Sequence, residues 1–441
     1  MKISNWGNYP IIDANIEEFQ AHQRAAEIIS NHEKVIARGL GRCYGDSALS
    51  ENIISTRRFC RFLAFDQDTG ILTCESGVSL EEILDLFVPR GWFLPVTPGT
   101  KFVTVGGAIA SDIHGKNHHV AGAFSNHVIS MDVMLPDGTI RTCSKEENSD
   151  LFWATCGGMG LTGLILHATF RLVPIQTSFI RQETVKCENL DAIMDAFEQS
   201  KNWTYSVAWI DCLAKDSELG RSVLMRGEFA VPEELRSEKQ KKQMLAVPKK
   251  FRKTVPFNFP NFVLNSMTVK TFNTLYYGKA PDGVKESIID YDTFFYPLDS
   301  IHNWNRIYGK RGFTQYQFVL PLENSRTGLK EILHTISSSG QGSFLAVLKL
   351  FGKQNDLIAF PQEGYTLALD FPISTTVLAL LDELDDMVLH YGGHLYLTKD
   401  VRMSEYMFKS SYKNSGKFME LKKQFDPQNK FQSLQSRRLG I

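Results

Sequence analysis

The chain has 441 residues, with 48 Lys plus Arg against 49 Asp plus Glu, and a formal net charge of −1; this balance excludes a generally basic, counterion-releasing nucleic-acid binder. Hydrophobic residues make up 43% and charged residues 22%, which excludes disorder and, at this length, suggests two or three domains. The seven cysteines are odd in number and include no CxxC, which argues against a disulfide framework or zinc ribbon and for a reducing compartment.

The opening residues, MKISNWGNYP, contain no apolar h-region, so no signal peptide is expected. No uncharged apolar run approaches the roughly 20 residues of a bilayer span, so any membrane contact would be peripheral. Lys34 to Ala37 reads as a buried strand broken by Gly39-Leu40-Gly41. A second strand covers Ile71 to Cys74. The helix after it carries Leu80, Ile83, Leu84 and Phe87 at helical spacing, with Ser79 as its N-cap. Residues 95–107 are turn-rich. Val128 to Leu135 is a strand closed by the turn Pro136-Asp137-Gly138. A short helix at Asp150 to Ala154 precedes Gly157-Gly158-Met159-Gly160, and Leu164 to Leu172 alternates as a strand.

Beyond Pro174 the strands are long, glycine-free and rich in aromatics: Tyr205 to Ile210, Phe313 to Leu320, Phe344 to Phe351 and Tyr365 to Phe371. An amphipathic helix over 374–390 ends at Gly392-Gly393. Texture therefore divides the chain into 1–177, 178–393 and 394–441, the last returning to the first unit. Residues 236–253 carry eight cations (Arg236, Lys239, Lys241, Lys242, Lys249, Lys250, Arg252, Lys253) against Glu238, and Phe257, Phe259 and Phe262 follow. The segment reads either as a solvated loop or as a basic-aromatic flap for anionic lipid headgroups.

Three glycine clusters carry chemistry. Arg38-Gly39-Leu40-Gly41-Arg42-Cys43-Tyr44-Gly45-Asp46 follows a strand, where closely spaced glycines let backbone N–H groups crowd an anion such as a pyrophosphate. It is not a dinucleotide-binding fingerprint, because the third glycine is displaced and no helical pattern follows. The run Val105-Gly106-Gly107-Ala108-Ile109-Ala110-Ser111 is small and apolar, suited to backbone packed on a flat ring system. It leads to Ile113-His114-Gly115-Lys116, which adds a titratable ring and a cation. Cys156 to Gly163 repeats the small-residue theme. Together they imply a long ligand in extended contact with backbone. His114 and His118 have metal-like spacing, with His119 beside them, but Gly115 disfavours a helix and no metal is expected.

The order RGxGRxYGD, PGTxxVTVGGAIAxDIHGKNHH and GGxGLTG resembles the vanillyl-alcohol-oxidase-type FAD-binding family. The likeness extends through FFYPLD (294–299), GFTQYQFVLP (312–321), FLAVLKLFG (344–352), ALDFPI (368–373) and YLTKDVR (396–402). It implies an α+β fold: a bipartite FAD-binding domain with an inserted α+β substrate domain built on an antiparallel sheet. FAD contacts would come from Ala37, Arg38, Gly39, Leu40, Gly41, Arg42, Cys43, Tyr44, Gly45, Asp46 and Ser47. Gly99, Thr104, Val105, Gly106, Gly107, Ser111, Asp112, Ile113, His114, Ile165 and Tyr396 would complete the cofactor site. Many relatives attach flavin covalently through a histidine where this chain has Arg42, so non-covalent FAD is expected.

The resemblance also implies oxidation of a secondary alcohol, the ribose 2′-hydroxyl of a polyprenyl-phosphate-linked sugar in arabinan precursor synthesis. A short-chain NAD(P)H-dependent reductase would complete the epimerisation, and a quinone or other acceptor would reoxidise the flavin. Lys399 matches the family's active-site lysine, and a desolvated lysine can act as a base. His114 is the competing base, and residue types alone do not separate the two. Lys116, Trp209, Gln315, Gln317 and Lys349 match positions lining the substrate pocket. Ala368 stands where mycobacterial relatives carry a cysteine, so nitroaromatic thiol traps should fail here. Thr366 stands where they carry an amide. The rivals are a soluble sugar-alcohol or aldonolactone oxidase and a flavin-binding scaffold without catalysis. The expected location is cytoplasmic or peripheral at the inner membrane, with the periplasmic face open.

Overall fold

A computed structural model describes residues 1–248, 253–354 and 357–441. The fold is α+β. Near the N-terminus a small parallel sheet has the order Asn15–Glu18, Asn52–Ser55, Ile36–Arg38. The helix His22–Asn31 buries Ala25, Ile28 and Ile29 in the core that includes Val35, Ile54 and Phe59. Beside it lies a five-stranded antiparallel sheet, ordered Ile140–Ser144, Val128–Met134, Leu164–Arg171, Ile71–Glu75, Phe62–Asp66. The expected helix forms as Leu80–Phe87. Ser79 Oγ accepts from Glu82 N, and the Glu82 carboxylate accepts from Ser79 N, closing a capping box.

An eight-stranded antiparallel sheet dominates the rest. Its order is Val284–Asp290, Phe179–Cys187, Ser222–Phe229, Tyr205–Ile210, Ala346–Phe351, Gly364–Pro372, Phe313–Pro321, His394–Leu395. Helices Leu190–Glu198, Leu322–Ser339 and Thr375–His390 pack on one face. The period-two alternation of side chains divides the work of the strand Phe313–Pro321. Tyr316 turns to the helices, where its hydroxyl donates to Asp385 at 3.0 Å, while Gln315 and Gln317 point into a cavity on the opposite face. The last strand lies just beyond the boundary expected at 394, so the chain leaves this sheet only after Leu395.

Two local readings differ from the sequence. The turn-rich 95–107 stretch ends in a short helix, Val105–Ala110, with Thr104 Oγ1 accepting from Gly107 N at 3.2 Å; glycine's poor helix propensity hid it. The strand read over Phe344 to Phe351 begins at Ala346. All seven cysteines are free. Among the described residues no helix is long and apolar enough to cross a membrane.

After Leu395 the chain returns to the first sheets. Val35 N donates to Lys430 O at 2.9 Å, Gln432 N to Val35 O at 3.0 Å and Leu434 N to Leu49 O at 2.8 Å. The helix Leu434–Arg438 delivers Arg438, whose Nη2 lies 2.9 Å from both Asp46 Oδ1 and Asp400 Oδ2. Both acids are buried, and burial pushes the Asp46 carboxyl up to about 6 against the pull of Arg438. Arg438→Ala strands two carboxylates without their cation and is expected to cost about 3 kcal/mol of stability or more, measured by urea denaturation.

Candidate active site

The glycine clusters and the inner face of the large sheet enclose a cavity of about 390 Å³. One wall is the loop after Ile36–Arg38. A Cβ at Gly39 would stand 2.2 Å from Thr104 Oγ1, and Gly41 has φ +63°, so both positions require glycine. The helix Val105–Ala110 forms the floor. Gly106 N donates to Ser76 O at 2.8 Å, and a Cβ there would press on Ser76 Cβ at 2.9 Å. The third cluster is anchored to the second: Gly157 N donates to Ile109 O at 3.0 Å and Met159 N to Ala110 O at 2.9 Å. These backbones come close because three segments lack side chains where they meet.

Most expected cofactor positions line the cavity, including Ala37 to Tyr44, Ser47, Gly99, Thr104, Ser111, Ile113, Ile165 and Tyr396. Four do not, and they stand behind its wall. Gly45 packs against Asp400 O, which its Cβ would approach to 1.9 Å. Asp46 pairs with Arg438. Val105 is in the core. Asp112 accepts from Ser125 N at 2.8 Å and Ser125 Oγ at 2.9 Å. Arg42 lies 4.1 Å from the Trp6 ring and 5.0 Å from the Phe102 ring, a cation held between aromatics.

The other end of the cavity gathers Lys116, Trp209, Gln315, Gln317, Lys349, Lys399 and His114. Register explains the grouping: Gln317 faces Ala368, Gln315 faces Asp370, Lys349 faces Thr366 and Trp209 faces Val347. Lys399 Nζ stands 3.9 Å from the centroid of Tyr44. Burial lowers Lys399 to about 7; Asp370 opposes that fall and Lys349 reinforces it. Burial also lowers Lys116 to about 7, with Lys349 adding to it, and Lys349 to about 8. Lys116 Nζ donates to Phe294 O and lies 4.3 Å from the Phe294 ring. His114 is packed by Phe351, Phe360 and Tyr396 at 4.7, 5.6 and 5.2 Å. Burial holds it neutral, well below the usual histidine range, and the charges of Lys349, His118 and Lys399 push the same way.

Several important residues escape sequence reasoning. Asp370 is buried, accepts from Gln315 Nε2 at 2.6 Å and from Tyr308 OH at 3.3 Å, and is pushed up to about 7 by burial. Asp299 accepts from Lys101 N at 2.9 Å and is the one carboxylate lining the cavity among the described residues. Lys101 itself pairs with Asp292 at 2.5 Å, tying the 97–104 loop to the 291–300 segment. Asp299 and Asp370 fall in the FFYPLD and ALDFPI motifs, which were the available signal. Trp6 also lines the cavity, and its sequence surroundings offered no signal. Of the basic stretch, Arg236 pairs with Glu286, Lys241 Nζ lies 3.6 Å from Glu238, and Lys253 is exposed. Lys249, Lys250 and Arg252 lie outside the described residues.

The residues fit a long cofactor with an anionic middle and a flat ring. Three glycine-bearing segments line the cavity, and two of its lining residues, Ser76 and His114, each have a buried atom without a partner, Oγ and Nδ1. Residues 14–144 match the family model described as FAD binding domain. The chain is 40% identical to decaprenylphosphoryl-beta-D-ribose oxidase of Mycolicibacterium smegmatis, over 96% of this chain and 92% of that protein. It is 31% identical to an uncharacterized protein of Streptomyces coelicolor, over 82% of this chain and all of that one. It is 26% identical to D-arabinono-1,4-lactone oxidase of Yarrowia lipolytica, over 44% of this chain and 38% of that protein. The cofactor is FAD and the protein is an oxidoreductase. With a relative this similar along nearly its whole length, the chain belongs to the decaprenylphosphoryl-β-D-ribose oxidase family of FAD-dependent enzymes.

Proposed function

We propose that this chain oxidises the 2′-hydroxyl of a polyprenylphosphoryl-β-D-ribose to the ketone, using non-covalently held FAD. The observation that carries this reading is the convergence of Lys116, Lys349 and Lys399 on one cavity whose described lining contains a single carboxylate, Asp299. Lys116 and Lys349 suit the phosphodiester, and Gln315, Gln317 and Trp209 suit the sugar. Bound FAD supplies the acceptor for the hydride that leaves the carbinol carbon. Lys399 Nζ takes the hydroxyl proton, since an amine lowered to about 7 is substantially neutral at physiological pH. The ketone then passes to a short-chain NAD(P)H-dependent reductase, and a quinone or similar acceptor takes the electrons. Residues 178–393 form a substrate unit inserted between 1–177 and 394–441 of the FAD-binding unit. Arg42, in place of an attachment histidine, supports non-covalent FAD.

The lipid chain leaves the cavity beside the helix Ser266–Lys279, at a membrane face. Tyr276 lies 4.6 Å from Trp209 and 5.9 Å from Phe272, and both Tyr276 and Trp209 line the cavity. Met267 and Leu275 of the same helix are 77% and 60% exposed, an apolar ribbon suited to isoprenoid or membrane contact.

Anaerobic mixing of the yellow holoenzyme with polyprenylphosphoryl-ribose is expected to bleach the flavin, and acid precipitation to release FAD. Bleaching by free polyols but not by the lipid-linked sugar would favour a soluble-substrate oxidase instead. The Lys399→Ala variant should retain FAD but lose at least about 100-fold in reduction rate. Wild-type kcat/KM should rise with pH as Lys399, lowered by burial, loses its proton, and fall as Lys116 and Lys349 lose theirs near pH 7 and pH 8. A Lys399→Ala variant reduced at the wild-type rate would exclude the assigned base. Replacing Met267, Phe272 and Leu275 together by Ser should raise KM for a long-chain substrate and leave KM for a short-chain analogue unchanged. Equal changes for both would remove the helix from chain binding.

A further inference from the structure

We infer that Thr366 is a positioning residue that, through Gln317, fixes His114 as a hydrogen-bond donor at Nδ1 and so excludes it as the base. The inference rests on the proposed alcohol oxidation for its catalytic consequence, but not for its geometry.

Thr366 Oγ1 donates to Phe318 O at 2.8 Å, across the ladder between strands Gly364–Pro372 and Phe313–Pro321. A hydroxyl has one proton, and this bond uses it. Thr366 Oγ1 can therefore only accept from its other neighbour, Gln317 Nε2, at 3.3 Å. The same Nε2 lies 3.2 Å from His114 Nε2. An amide nitrogen donates and does not accept, so His114 Nε2 presents its lone pair. Turning the amide over would place its carbonyl oxygen against a threonine oxygen that has no proton left to give. Thr366 thus forbids the alternative orientation of Gln317, and Gln317 forbids the alternative tautomer of His114.

The neutral imidazole consequently carries its proton on Nδ1. That atom is buried and has no partner, while His114 as a whole is 5% exposed and lines the cavity. A buried N–H without an acceptor is costly, and an oxygen-bearing ligand relieves the cost. The sugar hydroxyl supplies that oxygen. Nδ1–H donates to it and stabilises the negative charge that grows as the proton leaves. Nδ1 cannot also receive that proton, and Nε2 is occupied by Gln317. The proton passes to Lys399 Nζ, and bound FAD would supply the acceptor for the carbinol hydride. Both N–H bonds of Gln317 are used within the protein, so its remaining offer to a ligand is its amide oxygen, an acceptor for a sugar hydroxyl.

The test uses holoenzyme labelled with ¹⁵N-histidine, with His114→Gln assigning the signal. The wild type is expected to show a protonated Nδ1 and an unprotonated Nε2 for His114, without any substrate. Thr366→Val keeps the shape but removes the acceptor, freeing the amide to turn; the tautomer should shift toward Nε2–H, and flavin reduction should slow by about 100-fold, the loss expected of one oxyanion donor. Thr366→Ser restores the acceptor and should restore both readouts. An Nε2-protonated His114 in the wild type would overturn the inference, as would a Thr366→Val variant with the wild-type tautomer and rate. Failure of the wild-type flavin to bleach with lipid-linked sugar would count against the proposed substrate alone, because the tautomer is read without it.

Discussion

The carboxylate of Asp400 holds the molecule's two ends and its reacting group in register. Asp400 Oδ1 accepts from Arg402 N at 2.9 Å and Met403 N at 2.7 Å, while Oδ2 takes Arg438 at 2.9 Å. Its own carbonyl oxygen stands where a side chain at Gly45 would be. The residue next to it is Lys399. The C-terminal segment is thereby docked onto the first glycine loop with the lysine on the cavity side, over Tyr44. A second clamp, Lys101 with Asp292 and Asp299, ties the 97–104 loop to the 291–300 segment between two strands of the large sheet. Catalytic geometry in this fold depends on such ties, because the reacting groups come from segments hundreds of residues apart and a small misplacement is expensive.

Crowding lysines around one cavity is electrostatically unfavourable in the absence of an anion. Burial, reinforced by Lys349, moves Lys116 and Lys399 to about 7, and burial alone moves Lys349 to about 8, so the cluster sheds part of its charge near neutrality. This gives the site two capacities from one residue type. On the proposed assignment a phosphodiester favours the charged form of the lysines nearest it, which take up protons from solvent, while Lys399 stays available as an amine. Asp370 modulates the balance: it sits behind Gln315 and favours the charged form of Lys399 without itself lining the cavity. Strongly shifted groups gathered in one cleft mark a working site rather than a stabilising one.

How much of this was legible in the sequence follows from how local each requirement is. The glycines at 39, 41, 106 and 157 are demanded by their own backbone angles or by one close neighbour, so their clustering shows in the chain itself. Gln315 and Gln317 were readable as one face of a strand because alternation is a two-residue property. The roles of Asp299, Asp370 and Trp6 were not readable. Asp299 and Asp370 sit in motifs that mark their segments, but nothing within a few residues assigns either acid or Trp6 its place; sheet register and the return of distant segments do. The helix Val105–Ala110 was hidden for a related reason, since its glycines suit the ligand better than they suit a helix. The basic stretch reads as one patch in sequence, yet Arg236 is drawn to Glu286 on a neighbouring strand, so local charge overstates what remains free.

The three neighbouring histidines, of which His114 lines the cavity, show why charge and direction are supplied by different residues. Gly352 N donates to His118 Nδ1 at 3.2 Å, so the neutral His118 carries its proton on Nε2. His119 Nε2 faces Trp203 O at 2.9 Å and must donate to it, so its proton is also on Nε2. His114 differs from both, because the N–H that it faces meets its Nε2 and leaves the proton on Nδ1. Burial lowers all three, and neighbouring lysines add to the effect at His114 and His118. None can act as a cation near neutral pH, so each becomes a fixed donor and acceptor whose orientation is chosen by one neighbour. In the proposed reaction the lysines hold the anion through a field that tolerates displacement, whereas a neutral imidazole rewards one oxygen at one position. A site that must select a single hydroxyl on a sugar bearing several needs the second kind of contact, and a hydrogen bond of assigned polarity at His114 provides it.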